Sequence, residues 1–283
     1  MAWKRMIAAL TFCIAFAPAI GAQWPSYPTP DVPRKDGKPI LDAPAPRTAD
    51  GKVDFSGIWQ RTGGGGGGRG RGAAPPAPLP PGTPPLSTFG EVAGRGYELP
   101  LQPWAAELKK KRMADNMKDN PDVWCLPIGL MQYHNHPQPR QIVQTKNLIL
   151  ITYESNYGLR YIYTDGRPAP DNDPTPWWFG YSRGWFEGDT LVVETTNFRG
   201  DEKAGWLDVN GSPYTEALKM TERFRRPTFG TLEIDITIDD PKAYTKPFTV
   251  RVNHRLMVDQ EMMEFICNEN EKSTEHIQSD LHK

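Results

Sequence analysis

His134 and His136 stand in the stretch YHNHPQPR, residues 133–140, separated by one asparagine and followed by two prolines and Arg140. Imidazole is the side chain whose ordinary pKa lies nearest neutrality, so such a pair suits proton transfer or metal ligation. In an extended segment the one-residue gap puts both rings on one face, a workable spacing for zinc or copper, with His254 as a third nitrogen. H-x-H alone does not make a site, and Pro137 and Pro139 mark a loop. The metal set His134, His136 and His254 therefore stays an alternative. The leading expectation is chemistry without metal or cofactor. His134 or His136 and a buried glutamate, Glu154 or Glu222, act as base and acid, while Arg160, Arg140 or Tyr161 stabilises developing negative charge. Lyase, isomerase or simple hydrolase chemistry fits these groups. The string G-x-S-x-G occurs once, as GYSRG from Gly180 to Gly184, but it falls within the strand run WFGYSRGWF and not at a strand-to-helix turn, so it does not read as the nucleophile elbow of a covalent serine mechanism.

These residues need elements to position them. From about residue 140 onward the chain reads as strands: QIVQT, LILITYE, LRYIYT, WFGYSRGWF, TLVVETTNF, ALKMTERFRR, TLEIDITI, FTVRVNHRLMV and MMEFICNEN. Most runs are short, β-branched or aromatic, and alternate in polarity. Turn residues such as DGR and EGD separate them. DFSGIWQR, with Trp59, supplies an earlier strand. The expected fold is mainly β, an antiparallel meander closed or nearly closed into a lipocalin-like barrel, because closure removes both sheet edges. One helix is expected at about 103–118, with Trp104, Leu108 and Met113 on its apolar side. YHNHPQPR is expected as a rigid loop at the barrel mouth, its polar side chains aimed inward.

Period two says which side chains share a face. In TLEIDITI, Leu232, Ile234, Ile236 and Ile238 point one way without a polar intruder. Elsewhere the apolar faces carry charge: Glu222 beside Met220 and Phe224, His254 beside Val252 and Leu256, Arg160 beside Ile162, Glu154 in phase with Leu148 and Leu150, Glu264 between Met262 and Ile266. A charge on an apolar face is costly unless paired or hydrogen-bonded. Several such intruders suggest a partly polar cavity. The competing expectation is an internal salt bridge of Arg160 with Glu154 or Glu222. In the aromatic stretch TPWWFGYSRGWF, Tyr181 and Trp185 share a face and are candidate ligand contacts, together with Arg140, Tyr161, His254 and Glu264; core packing is the alternative use of such rings.

The net charge of -1 over 283 residues speaks against a basic nucleic-acid binder. The expected partner is a small apolar or aromatic molecule. Residues 1–22 have a basic start, an apolar run and small residues before Gln23, and read as a secretory signal peptide, with no membrane span after its cleavage. Residues 23–50 read as an extended arm, 51–283 as one barrel domain, and 62–86 as a disordered Gly/Pro-rich insert. The mature chain is then periplasmic or secreted. Of three cysteines, Cys13 leaves with the signal. Cys125 and Cys267 remain, either paired in an oxidising compartment or as two buried thiols.

From about residue 121 to 270 the chain resembles an uncharacterised family of secreted bacterial β-rich proteins. The matching stretches are QIVQT, YTDGRPAP, GWFEGDTLVVETTNF, WLDVNG, TERFRR, TIDDPKAYTKPF and MEFICNEN, roughly half of the mature chain. YHNHP departs from the family, which has an apolar, proline-rich loop there. The resemblance implies an exported β-rich domain and carries no activity. GIW, from Gly57 to Trp59, also resembles the first-strand G-x-W of lipocalin-type barrels, which bears on fold and not on function.

Overall fold

A computed structural model describes residues 28–62, 99–170, 175–203, 205–269, 271–272 and 276. The expected signal peptide and nearly all of the 62–86 insert lie outside the described residues. The N-terminal arm carries a small hairpin, β1 (Arg34–Lys35) and β2 (Lys38–Pro39). Its turn is Asp36–Gly37, both at positive φ, the geometry that this pair of residues adopts at least cost.

The remaining strands are β3 (Gly57–Arg61), β4 (Arg140–Gln144), β5 (Leu148–Tyr153), β6 (Leu159–Tyr163), β7 (Tyr181–Glu187), β8 (Thr190–Thr196), β9 (Lys219–Thr228), β10 (Thr231–Asp239) and β11 (Phe248–Leu256). They close into one barrel in chain order, with β11 pairing back onto β3 through Leu256 opposite Trp59. The meander is not antiparallel throughout. A ring of nine strands cannot reverse direction at every step, so some neighbours must run parallel. Here β6 and β7 do, through Ile162 opposite Ser182 and Tyr163 opposite Arg183. Parallel neighbours need a crossover between them. The stretch 164–180, with Trp177 and Trp178, is that crossover.

The period-two faces hold on most strands. Leu232, Ile234, Ile236 and Ile238 are fully buried, as are Met220, Glu222 and Phe224 on β9, Arg160 and Ile162 on β6, and Val250, Val252 and His254 on β11. They fail in three places. On β5 the buried face is Ile149, Ile151 and Tyr153, so Leu148 and Leu150 point outward and Glu154 lies past the strand in a turn. On β7, Ser182 and Gly184 face in; Tyr181 is half-buried and Trp185 exposed. Tyr161 is likewise exposed on β6. MMEFICNEN forms no strand: after β11 the chain runs as an irregular tail, and Glu264 and Ile266 are exposed. The ring is already closed by β3 and β11, so no edge is left for this run to pair with.

Closure depends on Gly57. Its φ is +138°, and a Cβ there would stand 2.6 Å from Leu256 Cδ1. Trp59 beside it is wholly enclosed, donates Nε1–H to the Phe55 carbonyl at 2.9 Å, and lies under the Arg226 guanidinium at 4.8 Å.

Among the described residues, two α-helices pack on the barrel. Helix α1 (Pro103–Ala114) begins with proline at its first turn, where the missing N–H costs nothing. Its buried residues are Ala105 and Arg112, not Trp104 and Met113, which are exposed. Arg112 lies over the Trp206 ring at 4.0 Å and donates to the Gly205 and Gly211 carbonyls. Helix α2 (Leu130–Asn135) replaces the loop expected for the start of YHNHPQPR. Five of its six residues are buried, the mark of a helix enclosed on nearly every side. It docks through Gly129, whose N–H bonds the Trp206 carbonyl at 2.8 Å; a Cβ there would meet that oxygen at 2.4 Å.

Candidate functional site

Helix α2 carries His134 into contact with three strands. His134 Nε2 lies 2.7 Å from Glu222 Oε1 on β9. Its Nδ1 lies 3.4 Å from Arg140 Nη1 at the start of β4. Its ring centroid is 6.4 Å from that of His254 on β11, and His254 Nε2 meets the His134 carbonyl at 3.3 Å. Across the lumen, Arg160 on β6 grips Glu222 through both guanidinium ends, one of them at 2.9 Å. Arg160 also donates to Ser182 Oγ at 3.0 Å and Thr195 Oγ1 at 2.9 Å. The result is a continuous chain: Arg140, His134, Glu222, Arg160.

The contacts fix the proton positions. A guanidinium only donates, so His134 Nδ1 is the acceptor and Nε2 carries the hydrogen that Glu222 receives. Burial pushes His134 below its ordinary pKa; Glu222 pulls it up, while Arg140 and Arg160 push it further down. His134 is therefore neutral at pH 7. Burial pushes the Glu222 carboxyl up, but the charge of Arg160 and the hydrogen bonds from His134 and Arg160 outweigh it and hold the carboxyl at about 2. Glu222 is thus a buried anion with a full set of partners, the condition under which such a charge is tolerated.

Arg140 is different. It is 1% exposed, and among the described residues no carboxylate pairs with it. Among the described residues its Nε and Nη2 have no hydrogen-bond partner, and neither does His254 Nδ1. Its other neighbour is the Tyr153 ring, 5.6 Å away. Burial, with Arg61 adding to it against Tyr153, pushes Arg140 down to about 10. Burial pushes His254 well below its ordinary value, and Arg140 pushes the same way. A cation with idle donors and a neutral imidazole with an idle lone pair thus share one end of the barrel.

The expected site residues divide. His134, Glu222, Arg160, Arg140 and His254 come together. His136 does not join them. As the residue that ends α2, it turns away from His134, contacts Ser155 Oγ at 2.9 Å and stacks on Tyr133 at 5.3 Å. The H-x-H spacing gathers ligands only in extended chain, and this chain is helical. Among the described residues, no group of three His, Cys, Asp or Glu side chains is placed to hold a metal. Glu154 is buried but stands apart, accepting the Met263 N–H at 3.2 Å. Tyr161, Tyr181, Trp185 and Glu264 lie on the outside and take no part in the interior chain. Ser182 and Thr195, which seat Arg160, were not among the expected residues. Their trace in the sequence is the alternation of β7 and β8, whose phase on β7 is the opposite of the one expected.

Cys125 and Cys267 are joined in a disulfide with a Cα–Cα distance of 5.5 Å, closing a separation of 142 residues. Fold and site define a closed, mixed β-barrel protein with a charged, hydrogen-bonded chain through its interior. Comparison with protein-family models, curated proteins and solved structures finds no match for this chain.

Proposed function

We propose that the barrel acts on a small molecule bearing a carbonyl or carboxylate oxygen, by proton transfer that needs no metal. Arg140 carries this reading: an enclosed guanidinium with two idle donor atoms, beside the lone pair of a neutral histidine. An unpartnered buried polar group calls for an explanation, and a ligand oxygen supplies one. Once Arg140 Nη1–H turns from His134 Nδ1 to the ligand oxygen, the freed Nδ1 lone pair takes a proton from the carbon next to the carbonyl. The C–H electron pair becomes a C=C bond and the carbonyl π pair moves to oxygen, where Arg140 holds the charge. Glu222 faces the imidazolium so formed and keeps Nε2–H oriented. Returning the proton to another carbon is isomerisation. Expelling a group from the neighbouring carbon, protonated by His134 as it leaves, is elimination.

Ile162, Phe224, Val252 and Trp59 make the surrounding wall apolar, which suits an apolar or aromatic substrate body. The disulfide supports an exported, periplasmic or secreted protein, because such bonds persist in oxidising compartments. Resemblance to secreted bacterial β-rich proteins goes with that reading. A second reading, a carrier without chemistry, draws on a cleft of about 630 Å³ outside the interior chain, lined by Met257, Met262 and Glu154. His134, Glu222 and Arg160 line none of the described cavities.

The test is deuterium incorporation, followed by NMR, into a panel of small ketones and 2-oxo acids in heavy water. The wild type is expected to exchange at least one substrate about 100-fold faster than His134→Gln. Exchange at the buffer rate, or equal exchange by the variant, overturns the catalytic reading.

A further inference from the structure

A separate cleft of about 630 Å³ lies between the tail after β11 and the 137–139 turn. That volume suits a small organic ligand. One wall is apolar: Met257, Met262, Met263, Pro137 and Pro139. Methionine side chains adapt to irregular apolar shapes. The polar lining is acidic or amide, with Glu154, Asp259, Glu261, Gln60, Gln138 and Gln260, and among the described residues it holds no Lys, Arg or His.

The acids are not equivalent. Asp259 is spent on Arg34 and on the Thr29 N–H. Glu154 forms no ion pair among the described residues, although its side chain is largely enclosed; it accepts only the Met263 N–H. Nearby, Gln138 Oε1 is buried and has no hydrogen-bond partner among the described residues. Glu154 and Gln138 both line this cleft, the Gln138 oxygen enclosed as it stands and brought to a ligand by a turn of its partly exposed side chain. Both would be satisfied by one ammonium group, with its three donors and its charge. A carboxylate ligand would meet repulsion there, and an alcohol would leave Glu154 uncompensated.

We propose that this cleft binds small primary amines with an apolar body: the ammonium between Glu154 and Gln138, the chain along the methionines and prolines. The site shares no residue with the His134 chain and stands or falls independently of it.

Isothermal titration of the disulfide-intact protein with n-octylammonium, n-octanol and octanoate tests it. The ammonium is expected to bind at least tenfold tighter than the alcohol, with octanoate weakest. Glu154→Gln, which keeps an oxygen for Met263 N–H, is expected to bring ammonium and alcohol level. Met262→Lys, on a partly exposed wall position, is expected to weaken the ammonium at least tenfold, with an unchanged circular dichroism spectrum. Equal binding of ammonium and alcohol by the wild type, an unaltered preference in Glu154→Gln, or no binding of any probe overturns the proposal.

Discussion

His134 Nε2 sits 2.7 Å from Glu222 Oε1, and both side chains are fully enclosed although 88 residues separate them in the chain. The pair joins helix α2 to strand β9. Its energetics follow from its neighbours, since Glu222 answers to Arg160 as well as to His134.

Glu222→Gln removes the charge and leaves Arg160 buried without its anion. Losing one partner of a buried pair costs about 3–5 kcal/mol. His134→Gln changes no charge and disturbs only the hydrogen bonds with Glu222 and Arg140, and should cost about 1–3 kcal/mol. Urea unfolding of both variants at pH 7 measures the difference. A smaller loss in Glu222→Gln than in His134→Gln would sink the charge-network account.

The double variant Arg160→Met/Glu222→Leu replaces the ion pair with apolar groups of similar size. Such replacements are often neutral or stabilising. It should recover most of the stability lost in Glu222→Gln. It should also lose the His134-dependent deuterium exchange, because nothing then orients Nε2–H. Recovery of stability with exchange intact would make Glu222 a structural residue alone.

Stability should fall on acidification in two stages. His134, His136 and His254 are all held below their ordinary value, chiefly by burial. The unfolded chain therefore binds more protons than the fold as pH drops below about 6.5, and each histidine removes up to about 1.4 kcal/mol per pH unit. Glu222 acts lower down. Its folded pKa of about 2 lies below the ordinary 4.5, so its contribution is whole above 4.5 and is lost as pH falls towards 2. Urea midpoints from pH 8 to pH 4 show the first stage. A flat profile between pH 7 and pH 5 contradicts the buried neutral histidines.

The Cys125–Cys267 bridge closes a long loop, and removing it should cost about 2–5 kcal/mol. Calorimetry with and without reductant measures this, and alkylation of the unreduced, unfolded protein should find neither cysteine free. Free thiols at both positions in exported protein would contradict the bridge.

Much of the barrel was legible in the sequence. Alternating runs such as TLEIDITI and ALKMTERFRR each declare one mostly apolar face, and the structure buries that face. Period two therefore already set Glu222 among Met220 and Phe224, Arg160 beside Ile162 and His254 beside Val252, because those neighbours lie within single strands. Reading β5 and β7 in the wrong phase had a local cause. LILITY is apolar on both faces, and YSRGWF places Tyr181 and Trp185 outside and the small Ser182 and Gly184 inside, ahead of Phe186, which packs against the core. Neither run states which face is buried.

Tertiary structure decided the rest. YHNHPQPR reads as a loop because its prolines dominate the pattern, yet LMQYHN is helical. Six residues are too few to hold a helix by propensity; the barrel end and the Gly129 contact hold it instead. That helix separates His134 from His136 and ends the metal spacing. The partner of each intruding charge also waited on closure, since β6 meets β9 only across a finished lumen. By itself the sequence determined which side chains share a strand face, a matter of backbone geometry over a few residues. Only the closed ring decided that Arg160 and His134 meet at Glu222 while Arg140 is left with idle donors, because those distances depend on strand number, register and one buried helix acting together.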